Sequence, residues 1–136
     1  MRIMAIDYGD ARTGVAVSDE SSTLVGDAWV IHNKREAEVA QTIVDEATTR
    51  GVSRIVVGYP KNMDGSIGPR AEKSDRFAEL LRSMCDIEIL LWDERMTTIS
   101  AQRVLTDVGK FGKKHKNSID AVAASLILES YLGILR

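Results

Sequence analysis

The stretch Ile3-Met4-Ala5-Ile6-Asp7-Tyr8-Gly9-Asp10-Ala11-Arg12-Thr13-Gly14-Val15-Ala16-Val17-Ser18 decides the fold. Its first four residues are apolar without alternation, as in a strand buried on both faces, and the run stops at Asp7. Tyr8 to Arg12 reads as a five-residue turn. Thr13 to Ser18 carries β-branched residues, so the two runs form an antiparallel hairpin. A third strand over 23–31 extends it, with Gly26 marking a bulge.

Beyond residue 32 the pattern changes. Asn33 reads as a helix N-cap. Ala37, Ala40, Ile43, Val44 and Ala47 then recur at helical spacing, and Gly51 sits where a C-terminal glycine belongs. Ile55-Val56-Val57 is a fourth buried strand. The stretch 58–69 holds Gly58, Gly65, Gly68 and both prolines, and loops this long often carry function. Phe77, Leu80, Leu81 and Met84 mark a second helix. Ile87 to Trp92 is a fifth strand that closes on Asp93-Glu94-Arg95. A helix carrying Ala101, Val104, Leu105 and Val108 ends at Gly109, and a basic loop runs from Lys110 to Asn117. The last helix starts near Ser118 and buries Ile119, Val122, Ala123, Leu126 and Ile127.

The order βββαβαβαα describes one mixed α/β sheet flanked by helices, with right-handed crossovers between its parallel strands. Ligands of such sheets bind at the carboxyl ends of the parallel strands. Asp7, the Gly58 loop and Asp93-Glu94 all fall there.

Composition narrows the classes. A chain of 136 residues with 44% apolar and 28% charged residues is about one domain, which excludes a two-lobed kinase. No apolar run approaches the roughly 18 residues needed to span a membrane. The start is too short in apolar residues for a signal peptide, and Cys85 is alone, so a cytosolic protein without disulfides is expected. Residues 1–51 carry five basic and nine acidic side chains, whereas residues 95–136 carry seven and three. The overall net charge of -2 argues against indiscriminate DNA coating, and the basic carboxyl-terminal stretch leaves room for a local phosphate-binding patch.

The acids have two readings each. Asp7 is either a turn acid accepting backbone N–H bonds or a carboxylate kept at the sheet mouth for a ligand. Of Asp93 and Glu94, only one faces the Asp7 side if the strand persists, and the other pairs with Arg95. Asp120 lies in the first turn of the last helix, where it complements the helix dipole. Its small neighbours Ala121, Ala123 and Ala124 would also let that helix approach the sheet. Three separated acids make a hard-cation site suited to Mg²⁺ and phosphate chemistry. The usual nucleotide-binding glycine loops are absent, and Cys85, His32 and His115 have no zinc spacing. Trp29 and Trp92 read as packing residues, and His32 as loop surface. Lys113-Lys114-His115-Lys116 is either a solvated loop or a phosphate contact.

These motifs resemble the YqgF-type family, also called RuvX. The matching stretches are Asp7-Tyr8-Gly9 with Arg12, Gly14-Val15-Ala16-Val17-Ser18-Asp19, Val57-Gly58-Tyr59-Pro60, Asn62-Met63-Asp64-Gly65-Ser66, Asp93-Glu94-Arg95-Met96-Thr97-Thr98 and Ile119-Asp120-Ala121-Val122-Ala123-Ala124. They run in family order along nearly the whole chain. Tyr59 and Met96 stand where leucine is common, both apolar replacements.

The resemblance implies a single RNase H-like nuclease domain over residues 1–136, with a five-stranded mixed sheet of order 3-2-1-4-5 whose strand 2 is antiparallel. It implies phosphodiester hydrolysis with Mg²⁺ or Mn²⁺ held by a catalytic triad of Asp7, Glu94 and Asp120. Arg12 and Arg95 would face nucleic-acid phosphate, as would Lys113, Lys114 and Lys116. The expected substrate is the 5′ end of pre-16S rRNA during ribosome biogenesis, in the cytoplasm and without a membrane partner. The alternatives are a Holliday junction resolvase acting on branched DNA, for which a two-fold homodimer would suit symmetric cutting, and a non-catalytic RNA-binding assembly factor. A sugar-kinase or actin-like ATPase fragment ranks below these, since such enzymes need two domains of this kind. One geometric difficulty accompanies the triad: in this strand order Glu94 starts two strands, about 10 Å, from Asp7.

Overall fold

The computed structural model describes residues 1–32, 35–97 and 116–135. Strands β1 (Arg2–Tyr8), β2 (Arg12–Ser18) and β3 (Val25–His32) come first. Helix α1 (Glu36–Arg50), strand β4 (Val52–Tyr59), helix α2 (Pro69–Met84) and strand β5 (Glu88–Asp93) follow. A 3-10 turn spans Glu94–Thr97, and helix α3 spans Lys116–Leu135. The sheet order is β3-β2-β1-β4-β5, as the resemblance implied. β2 runs antiparallel to both β1 and β3, while β4 is parallel to β1 and β5.

Alternation along β1 assigns its side chains to two cores. Met4 and Ile6 pack with Val15, Val57, Ile43 and Phe77 beneath α1 and α2. Ile3 and Ala5 pack with Ala16, Val56, Leu128 and Leu132 beneath α3. Burying both faces explains why the run from Ile3 to Ile6 has no polar position. Each large apolar side chain removed from water there contributes about 1.5–3 kcal/mol. Phe77 is fully buried, and its ring stacks on that of Tyr8 with centroids 4.1 Å apart.

Several boundaries differ from the sequence reading. The five-residue turn shrinks to residues 9–11, because the pairs Asp7↔Gly14 and Tyr8↔Thr13 continue the ladder to the tip. Gly9 N–H closes the turn on the Arg12 carbonyl at 3.1 Å. A Cβ on Gly9 would come within 2.5 Å of that oxygen. Gly26 is the bulge residue, since Val17 pairs with Asp27 and Ser18 with Val25. Asn33 lies outside the described residues, and the residue capping α1 is Arg35, extended and without a side-chain cap bond. Gly51 ends α1 in the left-handed conformation at φ 69°, its N–H returning to the Ala47 and Thr48 carbonyls. Pro69 occupies the first turn of α2, where its missing N–H costs nothing. His32 is the last residue of β3 and is exposed. The predicted helix over 101–108 and most of the basic loop lie outside the described residues, and Lys116 and Asn117 belong to α3.

Helix α3 crosses the sheet antiparallel to β4. Ile127 lies against Gly58 at the carboxyl end of that strand. Tyr131, one turn later, accepts a 2.7 Å hydrogen bond from Arg54 near the strand's start. Trp92 Nε1–H donates to Ser130 Oγ at 3.3 Å, and its ring meets Tyr131 edge-on. The first turns of α3 therefore project toward the carboxyl edge of the sheet. Trp29 also packs, beneath the guanidinium of Arg50 at 4.2 Å.

Candidate functional site

Asp7 is the sixth of the seven residues of β1. It follows Ile3 and Ala5 in alternation, so it lies on the α3 face of the sheet. Its cross-strand partner on β2 is Gly14. On the other side the parallel pairing Ile6↔Val57 brings Gly58 alongside. The carboxylate thus stands between two residues without side chains, at the mouth of the sheet.

Glu94 begins the 3-10 turn that follows β5. Gly58 pairs with Trp92, so β4 separates Glu94 from β1. The side chain itself crosses from β5 onto β4. Glu94 Oε2 and Cδ lie 2.8 and 3.0 Å from the point a Cβ on Gly58 would occupy. The carboxyl group therefore rests on the backbone of β4 and reaches toward Asp7. Burial pushes its pKa from 4.5 up to about 7, with the charges of Asp7 and Asp93 adding to the rise and Arg70 opposing it. An acid so placed binds a proton or a cation in preference to standing ionised alone.

Asp93 and Glu94 separate at the end of β5, as expected from alternation. Asp93 is clasped by Arg95: its Oδ1 accepts the Arg95 backbone N–H at 3.0 Å, and its two oxygens accept Nε at 3.1 and 2.9 Å. The Arg95 Nη2 bond to Oδ2 is 2.6 Å. These bonds hold the Asp93 carboxyl below its usual range. Asp93 is thus the counter-ion of Arg95, and Glu94 is the acid that faces Asp7. The loop after β4 packs beside this pair. Its Asp64 carboxylate accepts the Ser66 N–H at 2.9 Å and hydroxyl at 2.6 Å. Gly65 sits at φ 89°, and Arg95 Nη1 lies 3.4 Å from where its Cβ would be.

Asp120 belongs to the second turn of α3. Its side chain lies outside the described residues. In helical register, residues 120, 124, 127 and 131 form one row, and Ala124, Ile127 and Tyr131 of that row are buried against the sheet. Asp120 continues this row toward the carboxyl edge where Asp7 and Glu94 stand.

Arg12 opens β2 on the same face as Gly14 and Asp7. Arg95 is at the site's margin but already engaged by Asp93. Lys113 and Lys114 lie outside the described residues, and Lys116 is the first residue of α3. Two contributors went unrecognised in the sequence. Arg70, at the start of α2, is the cation that lowers the Glu94 pKa. Gly58 was legible only as a motif residue, although a glycine ending a buried strand between two acid-bearing strands was the available signal. A polar cleft of about 260 Å³, lined by Tyr8, Asp10, Glu36, Lys73 and Arg76, opens on the α1–α2 face and takes no part in this site.

Among the described residues no three His, Cys, Asp or Glu side chains group as a metal cage. Asp7 and Glu94 nevertheless fit a hard divalent cation. Both are oxygen donors, and the charge of Asp7 beside Glu94 is one that a cation between them would offset.

Comparison with known proteins identifies the family and the fold. The family model RuvX, described as Holliday junction resolvase, matches residues 1–133. A protein of Halothermothrix orenii named "Putative pre-16S rRNA nuclease" is 46% identical over 133 residues, covering 98% of this chain and 95% of the relative. A relative of the same name from Caldanaerobacter subterraneus is 44% identical over 133 residues, covering 97% and 96%. Among solved structures, Thermus thermophilus RuvC in complex with a Holliday junction superposes with a TM-score of 0.67 at 11% identity, covering 98% and 96%. The fowlpox virus resolvase, solved with its junction DNA, gives 0.57 at 11% identity, covering 99% of each chain. At such identity the likeness is one of fold: the RuvC-like, RNase H-type sheet. The family match runs from the first strand through the last helix, across every element that positions Asp7, Glu94 and Asp120, and the chain belongs to the RuvX family of nucleases.

Proposed function

We propose that this protein is a metal-dependent nuclease that trims the 5′ end of pre-16S rRNA in the cytoplasm. The observation that carries the reading is the Glu94 carboxyl group lying across Gly58 toward Asp7. The names of the relatives at 44 and 46% identity support the choice of pre-rRNA.

In this reading Asp7 and Glu94 hold Mg²⁺ or Mn²⁺, and Asp120 completes the set from α3. The ions supply Lewis acidity at the scissile phosphate and a more acidic attacking water. Glu94 would complete the coordination and orient that water. Arg12 and the lysines at 113, 114 and 116 hold backbone phosphates. Arg95, its plane fixed by Asp93, adds positive charge at the margin of the site. No helix among the described residues is long and apolar enough to cross a membrane.

The test is cleavage of a pre-16S rRNA fragment with Mg²⁺ or Mn²⁺, using wild type and Asp7→Asn. Loss of cutting in the variant is expected, and equal cutting overturns the site. The family description and the fold shared with junction-bound RuvC favour a second reading, resolution of branched DNA. A four-way junction assayed in parallel separates the two. Salt-sensitive RNA binding without turnover would instead identify an assembly factor.

A further inference from the structure

Gly58 is a fully enclosed strand residue whose backbone gives no reason for glycine. Among the described residues the glycines at positive φ are Gly51 and Gly65. Position 58 lies within β4, where a glycine costs conformational entropy and packs nothing. What distinguishes it is space. A Cβ there would meet Glu94 Oε2 at 2.8 Å, Glu94 Cδ at 3.0 Å and Ile127 Cδ1 at 2.7 Å. Real Cβ atoms do not approach heavy atoms so closely, so at least one neighbour would have to move. Ile127 is enclosed in the core beneath α3, and Glu94 is tethered one residue past β5.

We propose that Gly58 is a positioning residue: its missing side chain forms the saddle over which Glu94 crosses β4 to stand with Asp7. The strand next to Asp7 supplies no acid of its own, so the acid of the following strand takes that place. Glycine is the residue that leaves room for both the acid and α3. This inference rests on the reading of Asp7 and Glu94 as the metal-binding acids.

The two contacts can be relieved separately. Gly58→Ala alone strains both Glu94 and the α3 packing. Adding Ile127→Val removes Cδ1 and with it the contact to the helix, while the contact to Glu94 stays. The experiment compares wild type, Ile127→Val, Gly58→Ala and the double variant by thermal unfolding, by calorimetric Mn²⁺ binding and by crystal structures of the wild type and double variant. Ile127→Val keeps Mn²⁺ affinity. The double variant regains most of the stability lost by Gly58→Ala, yet binds Mn²⁺ at least about tenfold more weakly, as losses of ligand support do. In its crystal structure Glu94 has left residue 58.

A double variant with Glu94 still resting on residue 58 and wild-type Mn²⁺ affinity overturns the proposal. So does a double variant that recovers no stability, because the strain is then not the one described. A wild type that binds no Mn²⁺ rejects the metal reading, and the Glu94 displacement between the two crystal structures still decides the role of Gly58.

Discussion

Glu94 and Asp7 share one face of the sheet with β4 between them, and the charge of Asp7 adds to burial in raising the Glu94 pKa to about 7. Folding then favours the protonated carboxyl. The stability this group contributes is complete below its usual pKa of 4.5 and is lost as pH rises through about 7. In metal-free protein the loss is at most about 3.5 kcal/mol. Denaturation followed between pH 4 and 8 should show wild type losing stability relative to Glu94→Gln. Asp10, Asp19 and Asp64, whose pKa values are lowered by groups other than Glu94, act with the opposite sign in both proteins and cancel in the difference. A parallel pair of curves would contradict the burial of Glu94.

The two adjacent acids should behave differently in catalysis. Glu94→Gln removes a group that faces Asp7, and cleavage should fall to background. Asp93→Asn only loosens the clasp on Arg95, and cleavage should fall less than about tenfold, equivalent to less than about 1.4 kcal/mol. Single-turnover rates on one substrate distinguish these outcomes. The reverse order would exchange the roles of the two residues.

Tyr131→Phe tests the anchoring of α3. It leaves the ring against Trp92 and deletes the hydroxyl that accepts from Arg54. Arg54 keeps its ion pair with Glu88. The expected cost is about 1.5–3 kcal/mol in urea unfolding, typical of a hydrogen bond to a charged donor. Cleavage by the folded variant should be unchanged.

Gly51→Ala provides the contrast to position 58. Nothing lies within 4 Å of the Cβ it would add, but φ is 69°. The cost is purely conformational, about 1 kcal/mol, and Gly51→Asn should cost less because asparagine tolerates the left-handed region. Neither variant should alter Mn²⁺ affinity.

The two-sided burial of β1 was readable in the sequence because no polar residue interrupts the run from Ile3 to Ile6, and that run put Asp7 at a strand end, whereas the sheet order came from the family resemblance. Gly51 and Gly26 were readable for the same kind of reason, since each has a local backbone task. The N-cap of α1 was not, because Arg35 caps by backbone geometry alone and offers no side-chain signature. The choice between Asp93 and Glu94 depended on where the strand gives way to a 3-10 turn, which no periodicity marks. Gly58 escaped because its purpose lies in Glu94 and Ile127, residues 36 and 69 positions further along.

The packing row on α3 also limits how the gene can vary in length. Asp120 and Ile127 are seven residues apart, about two helical turns, and Ile127 is seated on Gly58. One codon added or deleted between them would swing Asp120 by about 100° and shift it about 1.5 Å along the axis. On the role proposed for Asp120, the span from 120 to 127 has to keep its count.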